Sequence, residues 1–125
     1  MIALPRTIQV WAYGRPTDLR KGYNGLWGLI KNELRRDPLS GELFLFVNAK
    51  RTGCKVFLWD GTGLCIFMKK LERGHFAQLW DAAGTALQLT SSELALFIEG
   101  CTVVGRKSLS PTALTSKDLA FDDRV

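Results

Sequence analysis

Two hydrophobic periodicities divide the chain. Leu19, Tyr23, Leu26, Trp27, Ile30 and Leu34 recur every three to four residues. That spacing predicts a helix over roughly Leu19–Arg35 with one apolar stripe. Thr17 or Asp18 offers an oxygen to cap its exposed N–H groups. Gly22, Gly25 and Gly28 would each cost such a helix about 1 kcal/mol relative to Ala. Either a neighbour packs closely on them or the helix starts later. Beside the apolar stripe, Arg20, Asn24, Lys31 and Arg35 form a polar one, read as a solvated flank or a phosphate-contacting edge. Before the helix, Ile8 to Tyr13 alternates as a strand, and Gly14, Arg15 and Pro16 break it.

After a turn over residues 36–41, the period changes to two. Glu42 to Asn48, Cys54 to Asp60 and Leu64 to Lys70 read as strands. They are separated by a basic loop, Ala49 to Gly53, and by the turn Asp60-Gly61-Thr62-Gly63. Connections this short predict an antiparallel meander. Both parities are apolar: Phe44 and Phe46 oppose Leu43, Leu45 and Val47, and Phe57 and Trp59 oppose Val56 and Leu58. Both faces of the sheet therefore need cover. The helix supplies one; a second helix, a coil segment or a partner subunit must supply the other. Residues 71–86 show no clear period. Leu87 to Leu89 fits a short strand, and Thr90 with Glu93 forms a capping box ahead of Leu94, Phe97 and Ile98. Gly100 stops that helix. The expected fold is α+β: a three- to four-stranded antiparallel sheet against a longer N-terminal helix and a short C-terminal helix. Residues 1–104 make one domain, and 105–125 a polar, flexible tail.

Charge sharpens this picture. The 125 residues carry a formal net charge of +5, but residues 1–80 hold thirteen Lys and Arg against six Asp and Glu, a balance of +7. Residues 81–125 balance to −2. The basic surface thus belongs to the first two thirds. Arg20, Lys21, Lys50, Arg51, Lys55, Lys69, Lys70 and Arg73 are the candidate nucleic-acid-binding residues. In a meander the end of the third strand returns beside the start of the second, bringing Lys69 and Lys70 towards Lys55 and the basic loop. Trp27, Trp59, Phe67 and Phe76 interleave with these cations, as core packing or as base-stacking rings.

Catalytic signatures are scarce. The chain has no P-loop, HExxH, GxSxG or dinucleotide fingerprint, so no catalytic residue or cofactor is expected. Three cysteines (Cys54, Cys65, Cys101) and the single His75 match no zinc spacing, and an odd cysteine number disfavours a disulfide scaffold. Asp18, Asp60 and Glu72 are the carboxylates a metal-dependent nuclease would have to gather. No apolar run reaches membrane-spanning length, and the expected location is cytoplasmic.

Four ordered segments then resemble a known family. They are Asp18 to Leu26 (DLRKGYNGL), Gly41 to Asn48 (GELFLFVN), Lys55 to Gly63 (KVFLWDGTG) and Lys69 to Phe76 (KKLERGHF). Together they resemble the accessory protein encoded by IS66-type insertion sequences, the Orf2-like or TnpB family, which is distinct from the RNA-guided nuclease sharing that name. The chain departs from the family pattern after Phe76, where Ala77 to Trp80 replaces an aromatic-proline step. The resemblance implies a non-catalytic helper of transposition, with the catalytic acidic residues on a separate, larger transposase. Implied partners are insertion-element end DNA, that transposase and a possible homodimer. Direct DNA binding is the leading expectation. An interaction module that docks on the transposase or self-associates is the alternative, and a nuclease-like protein the second alternative.

Overall fold

A computed structural model describes residues 8–80, 84 and 86–100. Strand β1 (Val10–Ala12) is followed by helix α1 (Tyr23–Asn32), strands β2 (Leu43–Val47), β3 (Gly53–Trp59), β4 (Leu64–Lys70) and β5 (Leu87–Leu89), and helix α2 (Ser91–Ile98). The five strands form one sheet in the order β4-β3-β2-β1-β5. The expected tail at 105–125 and Cys101 lie outside the described residues.

The meander is present: β2, β3 and β4 pair antiparallel, with Phe44 opposite Phe57 and Lys55 opposite Met68. The sheet as a whole is mixed rather than antiparallel. β1 lies parallel to β2, with Val10 opposite Leu43. The physical reason is the length of the connection. About thirty residues including α1 separate these strands, which is enough for a crossover, whereas a two-residue turn permits only reversal. β5 then pairs antiparallel with β1 and closes that side.

Helix α1 starts at Tyr23, four residues later than its apolar period predicts, with Gly22 as an extended N-cap. Asp18 is occupied elsewhere. Its Oδ1 accepts from the Arg20 N–H at 2.9 Å, making a local turn that holds the chain out of the helix. The helix ends before Arg35, which adopts a left-handed φ of 57°. The polar stripe therefore does not exist as one edge: Arg20 precedes the helix and Arg35 follows it. Of the three glycines only Gly25 is closely packed: a Cβ there would come within 2.9 Å of the Lys21 side chain, whereas one at Gly28 would meet Asn32 at 3.9 Å and one at Gly22 would meet nothing within 4 Å.

The doubly apolar sheet is covered within the chain. Leu26 and Ile30 of α1 pack with Tyr13, Phe44, Phe46 and Phe57 on one face. On the other, Leu94, Phe97 and Ile98 of α2 and the coil residues Phe76, Ala77 and Leu79 pack with Val10, Leu45, Val47 and Val56. Phe76 stacks on Phe97 with ring centroids 4.8 Å apart, so it is core and not a base-stacking ring. The α2 capping box is formed: Thr90 Oγ accepts from the Glu93 N–H, and the Glu93 carboxylate accepts from the Thr90 N–H. No helix among the described residues is long and apolar enough to cross a membrane.

Candidate nucleic-acid interface

Side-chain parity decides where each basic residue goes, because neighbours along a strand point to opposite faces. Phe57 and Ile66 lie on the α1 face. Lys55, Met68 and Lys70 share their parity and point the same way. Lys69 points to the α2 face with Phe67. There its Nζ donates to the Ile98 carbonyl at 2.8 Å, where a cation suits the carbonyl end of a helix. Lys69 is thus a helix-terminating residue, and its adjacency to Lys70 in sequence does not make the two one patch.

Arg51 is also structural. Its Nη1 donates to the Phe76 carbonyl at 3.1 Å, and its own carbonyl accepts from the Phe76 N–H at 2.6 Å. It adopts φ 58° in a turn built by Asn48, whose Oδ1 accepts from the Thr52 and Gly53 N–H groups. This turn presents Lys50 to solvent. The segment ahead of α1 is pinned beside it, since the Thr17 N–H donates to the Val47 carbonyl at 2.8 Å. Leu19 lies over Gly53, where a Cβ would come within 2.9 Å of its methyl.

These connections build a shallow groove of about 850 Å³. Leu19, Pro16 and the half-exposed Met68 line it, with Arg20, Lys50 and Asp18 at its polar positions. Lys55 lies across the sheet from Met68 and donates from Nζ to the Lys21 carbonyl at 2.8 Å. Lys70 sits opposite Gly53. Arg20, Lys21, Lys50, Lys55 and Lys70 are therefore gathered at one end of the α1 face. Arg51 and Lys69 are not among them, and Arg73 is an exposed residue beyond the end of β4. The local acid is Asp18, bridged to Arg20 at 2.7 Å. Hydrogen bonds from Arg20 hold the Asp18 carboxyl well below the usual carboxylate range.

The carboxylates proposed for a nuclease do not converge. Asp18 is tied to Arg20, and Asp60 accepts from the Thr62 and Gly63 N–H groups of its own turn. Among the described residues no group of three His, Cys, Asp or Glu side chains has a metal-holding arrangement. Cys54 is buried, which pushes its thiol up to about 12. His75 is exposed. A Cys–His nucleophile is not assembled from Cys54.

A polar cluster with no sequence signal lies elsewhere on the α1 face. Arg36 stands 4.0 Å over the Trp11 ring and pairs with Glu42 at 3.0 Å, while Trp11 Nε1 donates to the same carboxylate. Burial raises the Glu42 pKa, but hydrogen bonds from Arg36, Trp11 and Ser40 together hold it below its ordinary value of 4.5. A lowered folded-state pKa contributes stability above the unfolded value, and that contribution disappears as the pH falls through the folded value. Glu42→Gln is expected to flatten the acid limb of stability against pH in urea titrations. Parallel limbs for the two proteins would remove this assignment.

The chain matches the family model described as IS66 Orf2 like protein over residues 8–108. It is similar to two proteins of Sinorhizobium fredii that carry only the descriptions uncharacterized protein y4hO and uncharacterized protein y4jC. Identity is 33% over 101 residues for the first and 31% over 100 for the second, covering 80% of this chain in each case. The alignments span 86% and 85% of those relatives. No solved structure matches the chain. With the four ordered motifs inside a family match that runs over residues 8–108, the chain belongs to the IS66 Orf2-like family of non-catalytic transposition accessory proteins.

Proposed function

We propose that this protein assists transposition of its element by binding DNA, with the α1-face groove as the contact surface. The carrying observation is the convergence of Arg20, Lys21, Lys50, Lys55 and Lys70 around Leu19 and Met68. Exposed lysines on a shallow surface suit successive phosphates, which a rigid turn and a pinned loop hold at a fixed spacing. No catalytic role is required of them. The ends of the element are the relevant DNA, and the groove contacts backbone more than base edges, because it presents lysine ammonium groups and few bidentate donors.

Binding to element-end duplex is expected to weaken linearly in log–log form with salt, with a slope of about −3 to −5 for three to five phosphate contacts. Fluorescence anisotropy over a salt series measures this. Absence of binding at low salt would sink direct recognition. Contact with the transposase would then be the reading to pursue.

A further inference from the structure

We infer that the outer edge of β4 is a self-association surface, taking the β4 strand of a second copy in antiparallel register. The ladder to β3 shows which backbone groups are left over. The Leu71 N–H donates to the Thr52 carbonyl and the Asp60 N–H to the Gly63 carbonyl. In an antiparallel pair these bonds fix the alternation. Cys65, Phe67 and Lys69 bond inward to β3. Leu64, Ile66, Met68 and Lys70 therefore direct their N–H and C=O groups outward. Among the described strands β4 is an edge, seven residues long with no Pro or Gly. The opposite edge, β5, is three residues long. Exposed edges are usually blunted by shortness, Pro, bulges or charge. β4 carries charge only at its C-terminal end.

That uneven charge selects the occupant. Lys70 and Arg73 stand at one end of β4, against Glu72 alone, with Lys69 beside them tied to the Ile98 carbonyl. From Val56 to Met68 the chain has no Lys or Arg and one acid, Asp60, in the turn at the other end. Antiparallel pairing brings the basic end of each copy towards the Asp60 turn of its partner. Parallel pairing would set the two basic ends together. Outward hydrogen bonding at even-numbered positions permits a register that is symmetric about Phe67. Ile66 then exchanges bonds with Met68 of the second copy, and Leu64 with Lys70. Facing residues in an antiparallel pair share a face. Leu64, Ile66 and the 53% exposed Met68 of one copy would thus join those of the other in one apolar strip. The two-fold axis stands perpendicular to the sheet, giving a ten-stranded sheet with both α1 layers on the same side. The two basic grooves then face one way, with their Lys70 positions about 20 Å apart along the strand direction.

The test uses the full chain. Sedimentation equilibrium in the micromolar range is expected to show a dimer. Met68→Pro removes an outward N–H that β3 does not use, so circular dichroism should remain that of the folded chain while the dimer is lost. Phe67→Cys places two thiols on the symmetry axis and is expected to give a disulfide-linked dimer on mild oxidation. The native Cys65 lies opposite Lys69 of the second copy in this register, too far from its own symmetry mate to link. A monomeric native chain overturns the proposal. So does a dimer that survives Met68→Pro, or one in which Phe67→Cys crosslinks no better than the native chain.

Discussion

Phe44→Ala is expected to lower the unfolding free energy by about 3–5 kcal/mol, a large share of the 5–15 kcal/mol typical of a small domain. Phe44 is fully buried in β2, the central strand, and meets Phe57 of β3 edge-on at 6.4 Å. It also belongs to the layer holding Leu26 and Ile30, so its ring joins α1 to the sheet. Removing it leaves a cavity between two layers that short strands and a ten-residue helix cannot readily close. At about 4–8 °C per kcal/mol for a domain of this size, the midpoint should fall by about 12 °C or more. Leu39→Ala, at a position 43% exposed and away from the β4 edge, is the contrast and should shift it little. Urea titration of both variants measures the difference. A loss below about 1.5 kcal/mol for Phe44→Ala would show that α1 is not anchored through this ring.

The second large effect concerns DNA. The combined variant Lys21→Glu, Lys50→Glu, Lys70→Glu is expected to reduce the magnitude of the salt slope by about 3. On about 1–1.5 kcal/mol net per lost solvent-exposed contact, affinity at low salt falls by about 10²–10³-fold. These three are chosen because they are exposed and their side chains make no hydrogen bond or ion pair among the described residues. Arg51 and Lys69, equally basic in sequence, are left out because they tie down Phe76 and α2. Reversal of Lys31 and Arg35, at the far end of α1, tests whether net charge alone is responsible. If that pair weakens binding as much as the groove reversals, the protein attracts DNA diffusely and the groove is not its site.

The strands were legible because alternation and turn chemistry act locally. Leu64 to Lys70 has the same bounds in sequence and structure, and Asp60-Gly61-Thr62-Gly63 turns as its residues require. The capping box at Thr90 needs only two residues three apart. The need to cover both sheet faces was also readable, from the two apolar parities of β2. What covers the second face was not, because Phe76 to Leu79 has no period and joins α2 only through tertiary packing. The start of α1 at Tyr23 is hidden from the periodicity for a similar reason. Leu19 continues the apolar stripe, but it earns its burial from the loop, over Gly53, and Asp18 spends its oxygens on Arg20. For the site, clustering of charge was visible and its division was not. Lys69 and Lys70 differ only in parity, and parity becomes functional only once α2 stands on one face. The Trp11–Arg36–Glu42 cluster joins positions up to thirty-one apart and leaves no local trace.

One consequence follows from the place of β1 in the sheet. Strand β1 precedes the other described strands in the chain but sits between β2 and β5, and β5 is the last of the five to be made. Until residues 87–98 are released, β1 has an unpaired edge and the layer beneath α2 has no lid. The nascent chain can complete its meander early but cannot close this sheet until β5 and α2 have been made. Long-range closure of this kind slows folding and lengthens exposure of apolar surface. A copy of the gene interrupted before Leu87 would therefore leave β1 with an open edge and the α2 face of the sheet uncovered, so integrity of the reading frame is enforced by topology.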